Sequence, residues 1–335
     1  MSTTALTVPR DRLTRLAAAA VATNVLIVFT GGLVRVTGSG LGCPTWPTCD
    51  GETVVPRPGG EHATWQTAIE FGNRLLTFLV LAVAVALLLE VRRRGRQMTP
   101  TNRRLAWALP AGVLAQALLG GVTVLTGLYP LVVAAHFLLS MVLIAIAVAL
   151  YERAREASLP PKPPLRIAGL PPAGMRALTT AVCVVGGVVL VLGTLVTAAG
   201  PHAGDPETVR LGLDIRLIAI THADGVWLLL GLTVAVVALT WRSGPDDLRR
   251  AARALLVIEL LQGAVGYTQY ALGIPAALVS IHILGAALMW TVAVAVWVRA
   301  RPAEASVTDA PATAPTSAPV DGLAATEDAS PAARP

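Results

Sequence analysis

The sequence predicts an all-α polytopic membrane protein of eight transmembrane helices. They form two tandem four-helix bundles related by a pseudo-twofold axis along the membrane normal. Three observations predict it. Of 335 residues, 54% are hydrophobic and only 14% are charged, against about a quarter charged in soluble domains, and mean hydropathy is +0.66. A large water-soluble enzyme is thereby excluded. Apolar runs of roughly 20 residues, the length that crosses a bilayer as a helix, recur eight times. The first four runs and the last four echo each other in sequence.

The first span, 14–36, follows Arg10, Arg12 and Arg15 as a signal peptide would. Its apolar stretch is longer than a signal core and no small-x-small cleavage site follows, so it reads as a retained helix. The second and third, 66–91 and 105–127, are separated by the arginine-rich RRRGRQMTPTNRR. The fourth, 131–151, leads into a proline-rich connector containing SLPPKPPLRIAGLPPAG, a surface spacer between halves. The remaining spans are 174–198, 215–241, 251–271 and 276–298. Inside hydrocarbon every backbone group must bond within its own segment, which these lengths allow only as helices. A β-barrel strand alternates in polarity, and LAVAVALLLE does not. The expected organisation is an N-terminus at 1–13, a first half at 14–152, the connector at 153–173, a second half at 174–299 and a tail at 300–335. The tail is rich in Ala, Pro, Thr and Ser and too poor in large apolar groups to offset ordering entropy, so disorder is expected there.

The charge sets orientation. Net charge is +6, but the basic residues, nearly all arginine, sit between apolar runs and form no nucleic-acid patch. Twenty of the 26 basic residues fall on one side of the predicted spans. Arg35, Arg57, Arg74, Arg210 and Arg216 fall on the other. The positive-inside rule then places both termini in the cytoplasm, with the protein multi-pass in the cell membrane.

The duplication pairs TGGLVRVTGSG with LGTLVTAAGPH, NRLLTFLVLAVAVALLL with HADGVWLLLGLTVAVVAL, QALLGGVTV with QGAVGYTQY, and PLVVAAHFLLS with PAALVSIHILG. Each repeat has an even number of spans, so both copies insert in the same sense. A site built by one half should have a counterpart in the other.

Of five histidines, His62 and His202 lie in outer loops and read as solvated. His136, His222 and His282 lie about six residues past the outer ends of their spans, roughly 9 Å deep at 1.5 Å per residue. Ionisable groups at that depth are costly and functional by default, although a single one also serves as interhelical hydrogen-bonding glue. Three at matched depth point to ligation. His222 and His282 are expected to hold a haem through both axial positions. Zinc would need further Cys, Asp or Glu ligands that this half lacks. The position matching His222 in the first half is Asn73, so a second haem site there has one strong ligand, His136, and one weak or absent.

Glu70 lies three residues before Asn73, on the same helix face. It reads either as an i,i+4 ion pair with Arg74 or as a carboxylate managing a proton beside the second haem. Arg35, Arg74 and Arg216 are candidates for holding haem propionates, which the guanidinium fork matches; interfacial snorkelling is the other reading. Gln116 and Gln262 are expected to hydrogen-bond between helices, Glu259 to snorkel or to pair with Arg253 near the cytoplasmic edge, and Cys183 to pack as a small hydrophobe. Cys43 and Cys49, in the outer loop GCPTWPTCDG, are expected to form a disulfide, structural or redox-active.

GGLVRVTGSGLGCPTWPTCDG, IEFGNRLLT and the segments around His136, His222 (ITHADG) and His282 (SIHILG) together resemble the haem A synthase family over roughly residues 14–298. The resemblance implies oxidation of a methyl group of haem O to a formyl group, giving haem A for cytochrome oxidase. It implies haem b as cofactor in the C-terminal half, on His222 and His282, and haem O as substrate in the N-terminal half, on His136. Glu70 matches the family's acidic residue implicated in catalysis, and Cys43 and Cys49 its loop cysteines. Asn73 departs from the family's histidine. Membrane lipid, a haem O synthase, cytochrome oxidase assembly factors and an unidentified electron-transfer protein are the implied partners. The rival reading is a di-haem b-type electron-transfer cytochrome, which would want four matched ligands. A transporter would place polar groups at the midplane, and these do not lie there.

Overall fold

The computed structural model describes residues 11–57, 63–160, 167 and 169–301. Expectations for His62, for much of the proline-rich connector and for nearly all of the tail fall outside the described residues. The described chain forms eight α-helices: α1 (Arg12–Val36), α2 (Thr64–Arg94), α3 (Pro100–Leu125), α4 (Pro130–Ala157), α5 (Pro172–Ala199), α6 (Ile215–Thr240), α7 (Asp246–Ala271) and α8 (Ala276–Arg299). Their starts follow from local chemistry. Asp11, Thr99 and Asp214 accept hydrogen bonds from the first-turn amides of α1, α3 and α6, satisfying donors that a helix N-terminus leaves unpaired. Proline, whose missing N–H costs nothing at a helix start, opens α3, α4 and α5. Where the helices overrun the predicted spans, as α4 does to Ala157 and α7 from Asp246, the extra turns are charged and continue past the apolar stretch.

Seven helices are long and apolar enough to cross a membrane, and the molecule is a polytopic membrane protein. The eighth expected span is corrected in one respect. α7 has the length, at 26 residues, but Asp246, Asp247, Arg249, Arg250, Arg253 and Glu259 lower its apolar content below that of the other seven. It packs between α6 and α8.

In the first half α1 and α3 each pack against both α2 and α4; in the second, α5 and α7 each pack against both α6 and α8. The halves meet where α1 and α4 touch α8 and where α4 touches α5. One buried core, including Ala17, Leu87, Ala106, Leu109 and Leu143, lies among α1–α4. The other, including Val28, Ile144, Met175, Val182, Val236, Leu255 and Val296, lies among α1 and α4–α8. Leu143 and Ile144 are consecutive on α4, and the helical turn between them sends one into each core.

The turns entering α4 and α8 have the same construction. Gly127–Leu128 and Gly273–Ile274 all have positive φ, from 60° to 75°. Leu128 N–H donates to Thr123 O at 2.8 Å, and Ile274 N–H to Gln269 O at 2.7 Å. Such closures satisfy the last carbonyls of the helix before and set the following helix in the same register in each half. At the arginine-rich end, the buried Glu152 carboxylate accepts from Arg299 at 2.6 and 2.9 Å and pairs with Arg155 at 2.8 Å. These bonds tie α4 to α8.

Candidate functional site

Four candidate positions lie near the starts of α2, α4, α6 and α8: Asn73, His136, His222 and His282. Each faces a glycine on the helix before it. A Cβ on Gly193 (α5) would stand 3.3 Å from Cε1 of His222, one on Gly266 (α7) 3.5 Å from Cε1 of His282, and one on Gly120 (α3) 3.1 Å from Cε1 of His136. On Gly31 (α1) it would stand 4.0 Å from Nδ2 of Asn73. The missing side chains leave room for rings that a Cβ would crowd. Sequence reasoning missed these glycines, although the duplication aligns Gly31 with Gly193 and Gly120 with Gly266.

The structure brings His222 and His282 together. Their ring centres are 6.5 Å apart and their planes 69° apart. Two imidazoles bound on opposite sides of one metal atom through bonds of ~2.0–2.1 Å, with about 1.1 Å from each nitrogen to its ring centre, would stand ~6.3 Å apart, whereas a tetrahedral pair would stand ~5 Å apart. Among the described residues no group of three or more His, Cys, Asp and Glu is placed to hold a metal ion. A haem, whose porphyrin supplies four of the iron's ligands, is one group that two imidazoles could hold.

The surroundings of the rings fit that reading. His222 Nδ1 lies 3.1 Å from Val189 O, the kind of bond that fixes a ligating imidazole and leaves its other nitrogen to the metal. His136 and His282 each have a buried Nδ1 with no protein partner, and a buried polar atom left so costs about 1–3 kcal/mol. Gln116 donates to His136 O and Gln262 to His282 O, both at 2.9 Å. The expected interhelical glutamine bonds are thus present, and they steady the two histidine-bearing turns alike.

The N-terminal half differs at its mouth. Cys43 and Cys49 form a disulfide. Glu70, which is buried, accepts from Cys43 N–H at 2.6 Å and from Arg74 at 2.7 and 3.1 Å. Arg74 also donates to the carbonyls of Cys43, Thr45 and Thr48 at 2.8–3.1 Å. The expected Glu70–Arg74 pair is present, and together the two clamp the disulfide loop onto α2. Trp46 of that loop lies against α3 where Gly121 leaves space: a Cβ there would stand 2.7 Å from the indole Cε2. The duplication places Tyr267 at the matching position in the second half.

The three arginines named as propionate candidates are placed differently. Arg35 donates to Thr197 O at 2.8 Å and to His202 O, which joins α1 to the α5–α6 loop. Arg74 is engaged as above, and Arg216 is exposed. Two expectations are corrected. His202 is half-buried, with Nε2 2.9 Å from Ile274 O, because its loop folds back under the α7–α8 turn. Glu259 does not reach Arg253. It is buried and accepts from Thr233 at 2.8 Å, while Arg253 stacks over Trp241 at 4.2 Å. Cys183 is partly buried with Sγ 3.5 Å from Ala293 O, as expected of a small packed side chain.

The loop carboxylate Asp50 is held down to about 2 by amide hydrogen bonds from Thr53 and Glu52 and by the Thr53 hydroxyl. It stays ionised and pins the loop beside the disulfide.

A family model described as cytochrome oxidase assembly protein matches residues 14–294. Among curated proteins, the chain is similar to a haem A synthase of Alkalihalophilus pseudofirmus, 32% identical over 143 residues, or 41% of this chain and 46% of that protein. It is similar to a haem A synthase of Shouchella clausii, 36% identical over 139 residues, with 41% and 44% covered. One from Bacillus cereus strain AH187 is 35% identical over 129 residues, with 38% and 40% covered. In each case the match spans less than half the relative's length.

Proposed function

The chain belongs to the haem A synthase family of cytochrome oxidase assembly proteins, and on that premise we propose that it oxidises a methyl group of haem O to a formyl group. The product is haem A, destined for cytochrome oxidase. The observation that carries the reading is the His222–His282 pair at the separation of two imidazoles sharing one iron, with His136 and a similar glycine cradle repeated in the other half. In this reading the two halves are tandem four-helix bundles related by a pseudo-twofold, and the arginine-rich end faces the cytoplasm.

His222 and His282 hold haem b, which supplies one-electron transfer. His136 binds the iron of substrate haem O. Its ring is set by Gly120 and its turn by Gln116. Written against water, the methyl carbon goes from R–CH3 + H2O to R–CHO + 4 H+ + 4 e−, by way of a hydrated aldehyde that loses water, and the electrons leave to the external electron-transfer protein. Glu70, one turn above Asn73 on α2, is the acidic group that manages protons there. Arg74 and the Cys43 amide hold it in place. Arg216, exposed at the mouth of the second half, is the arginine of the three with a free reach toward a propionate. A haem O synthase, assembly factors and an electron-transfer protein complete the proposed partners, in the cell membrane.

The test is analysis of haems extracted from cells making this chain together with a haem O synthase. Haem A or its hydroxylated precursor should appear only when the chain is present. It should be lost in His136→Ala and Glu70→Ala, while His222→Ala and His282→Ala should lose haem b. Well-folded protein yielding only haem B and unchanged haem O would refute the synthase and leave an electron-transfer cytochrome.

A further inference from the structure

The two halves anchor the α2 and α6 positions to the helix before them by different means. In the second half, His222 Nδ1 lies 3.1 Å from Val189 O on α5. The duplication that aligns Gly31 with Gly193 aligns Ile27 with Val189 and Thr30 with Leu192. In the first half, the Thr30 hydroxyl lies 2.7 Å from Asn73 Oδ1 and 3.2 Å from Ile27 O, with Leu26 O also at 3.2 Å. The single Thr30 hydroxyl proton goes to the nearest acceptor, Asn73 Oδ1, so a threonine–asparagine bond stands where the second half has its imidazole–carbonyl bond. The two side chains supply no counterpart to the imidazole's outer nitrogen, Nε2. The exchange is paired: where α6 has histidine, α5 has leucine, and where α2 has asparagine, α1 has threonine.

We infer that the N-terminal haem iron has one protein ligand, His136, and that Thr30 and Asn73 hold an exchangeable water molecule on its opposite face. Three features support this. Asparagine's side chain ends where an imidazole continues, so the place of Nε2 is left to a small molecule. A neutral amide is a poor iron ligand, but it hydrogen-bonds water at ~2.8 Å. Thr30 fixes the amide by its carbonyl oxygen, which leaves Nδ2, near Gly31, to donate. The second half has no such polar pair. Its iron is closed by two imidazoles, which suits electron transfer, whereas an exchangeable position suits a substrate that must react. The inference rests on the proposal that the N-terminal half binds haem at His136.

The experiment uses the full chain purified with both haems from cells making a haem O synthase, with total haem counted per protein and ferric haem titrated with cyanide. Half of the haem should show a high-spin ferric signal and bind cyanide, and half should be low-spin and inert. Asn73→His should turn the reactive half low-spin and abolish cyanide binding. Thr30→Val should keep the haem but raise the cyanide off-rate several-fold. Two haems per chain that are both low-spin and inert to cyanide in the unsubstituted protein would overturn the inference alone. A haem content that His136→Ala leaves unchanged would overturn the proposed N-terminal site and this inference with it. The measurement on the unsubstituted chain decides the matter even if a variant does not fold.

Discussion

Gly120→Ala tests the glycine cradle where it is tightest. The new Cβ would stand 3.1 Å from Cε1 of His136, whereas carbon atoms in optimal contact are ~3.5–4.0 Å apart. The ring has to retreat by roughly 0.5 Å, the limit within which a ligand constellation keeps its geometry. Crowding of this kind costs ~1–3 kcal/mol, and alanine in place of a helical glycine returns up to ~1 kcal/mol. The net cost to the fold is therefore ~0–2 kcal/mol, a fall in unfolding temperature of at most several degrees. The loss falls on the haem: ~1–3 kcal/mol of misplacement at 1.4 kcal/mol per decade weakens binding about 5- to 150-fold. Gly266→Ala is the control, because its Cβ meets Cε1 of His282 at 3.5 Å, an ordinary contact. Both variants are purified in detergent, the haem-to-protein ratio is read from pyridine haemochrome spectra, and unfolding is followed by circular dichroism. Equal haem retention in Gly120→Ala, Gly266→Ala and the unsubstituted protein would refute the argument that these glycines exist to seat the rings.

Three further outcomes are expected. Glu152→Gln removes the buried charge that Arg155 and Arg299 share; with the two arginines partly exposed, the loss should be ~1–3 kcal/mol, seen as a lower Tm, and an unchanged Tm would show that the α4–α8 tie is dispensable. Gly121→Leu should expel Trp46 and loosen the disulfide loop, measured as faster reduction of Cys43–Cys49 by a mild thiol; unchanged reduction kinetics would count against Trp46 as the loop's anchor. Asp50 has a folded pKa of about 2, below its ordinary value of 3.8. Its contribution to loop order is complete above the ordinary value and is lost as pH falls through about 2. Carboxyl NMR should find it ionised at about pH 3, and a midpoint at or above the ordinary value would contradict the hydrogen-bonded loop.

Most of the fold was legible because a bilayer leaves a chain few choices. Once an apolar run exceeds the hydrocarbon thickness, its backbone has to be helical, and all eight helices follow the predicted spans closely. α7 shows the limit of that logic. Its charged residues cluster in the first turns, as Asp246, Asp247, Arg249 and Arg250 do, and two polar side chains further along serve contacts inside the protein, Glu259 with Thr233 and Gln262 with His282 O, so its apolar content falls below that of a spanning helix. The histidines were legible through depth and repetition. The role of Glu70 was not, because spacing shows the pairing with Arg74 but not the Cys43 amide from 27 residues away.

By itself, then, the sequence determined how many helices there are, roughly where each apolar stretch runs, the echo between its two halves and the family. These depend on local periodicity, turn chemistry and motifs, which are carried by neighbours along the chain. Only the tertiary structure decided which side chains share a space: the 6.5 Å between His222 and His282, the glycine opposite each of Asn73, His136, His222 and His282, and the Thr30–Asn73 pair 43 residues apart. Those contacts arise where helices cross, and the angle and register of a crossing are set by the packing of whole faces against one another, a property that no single segment holds.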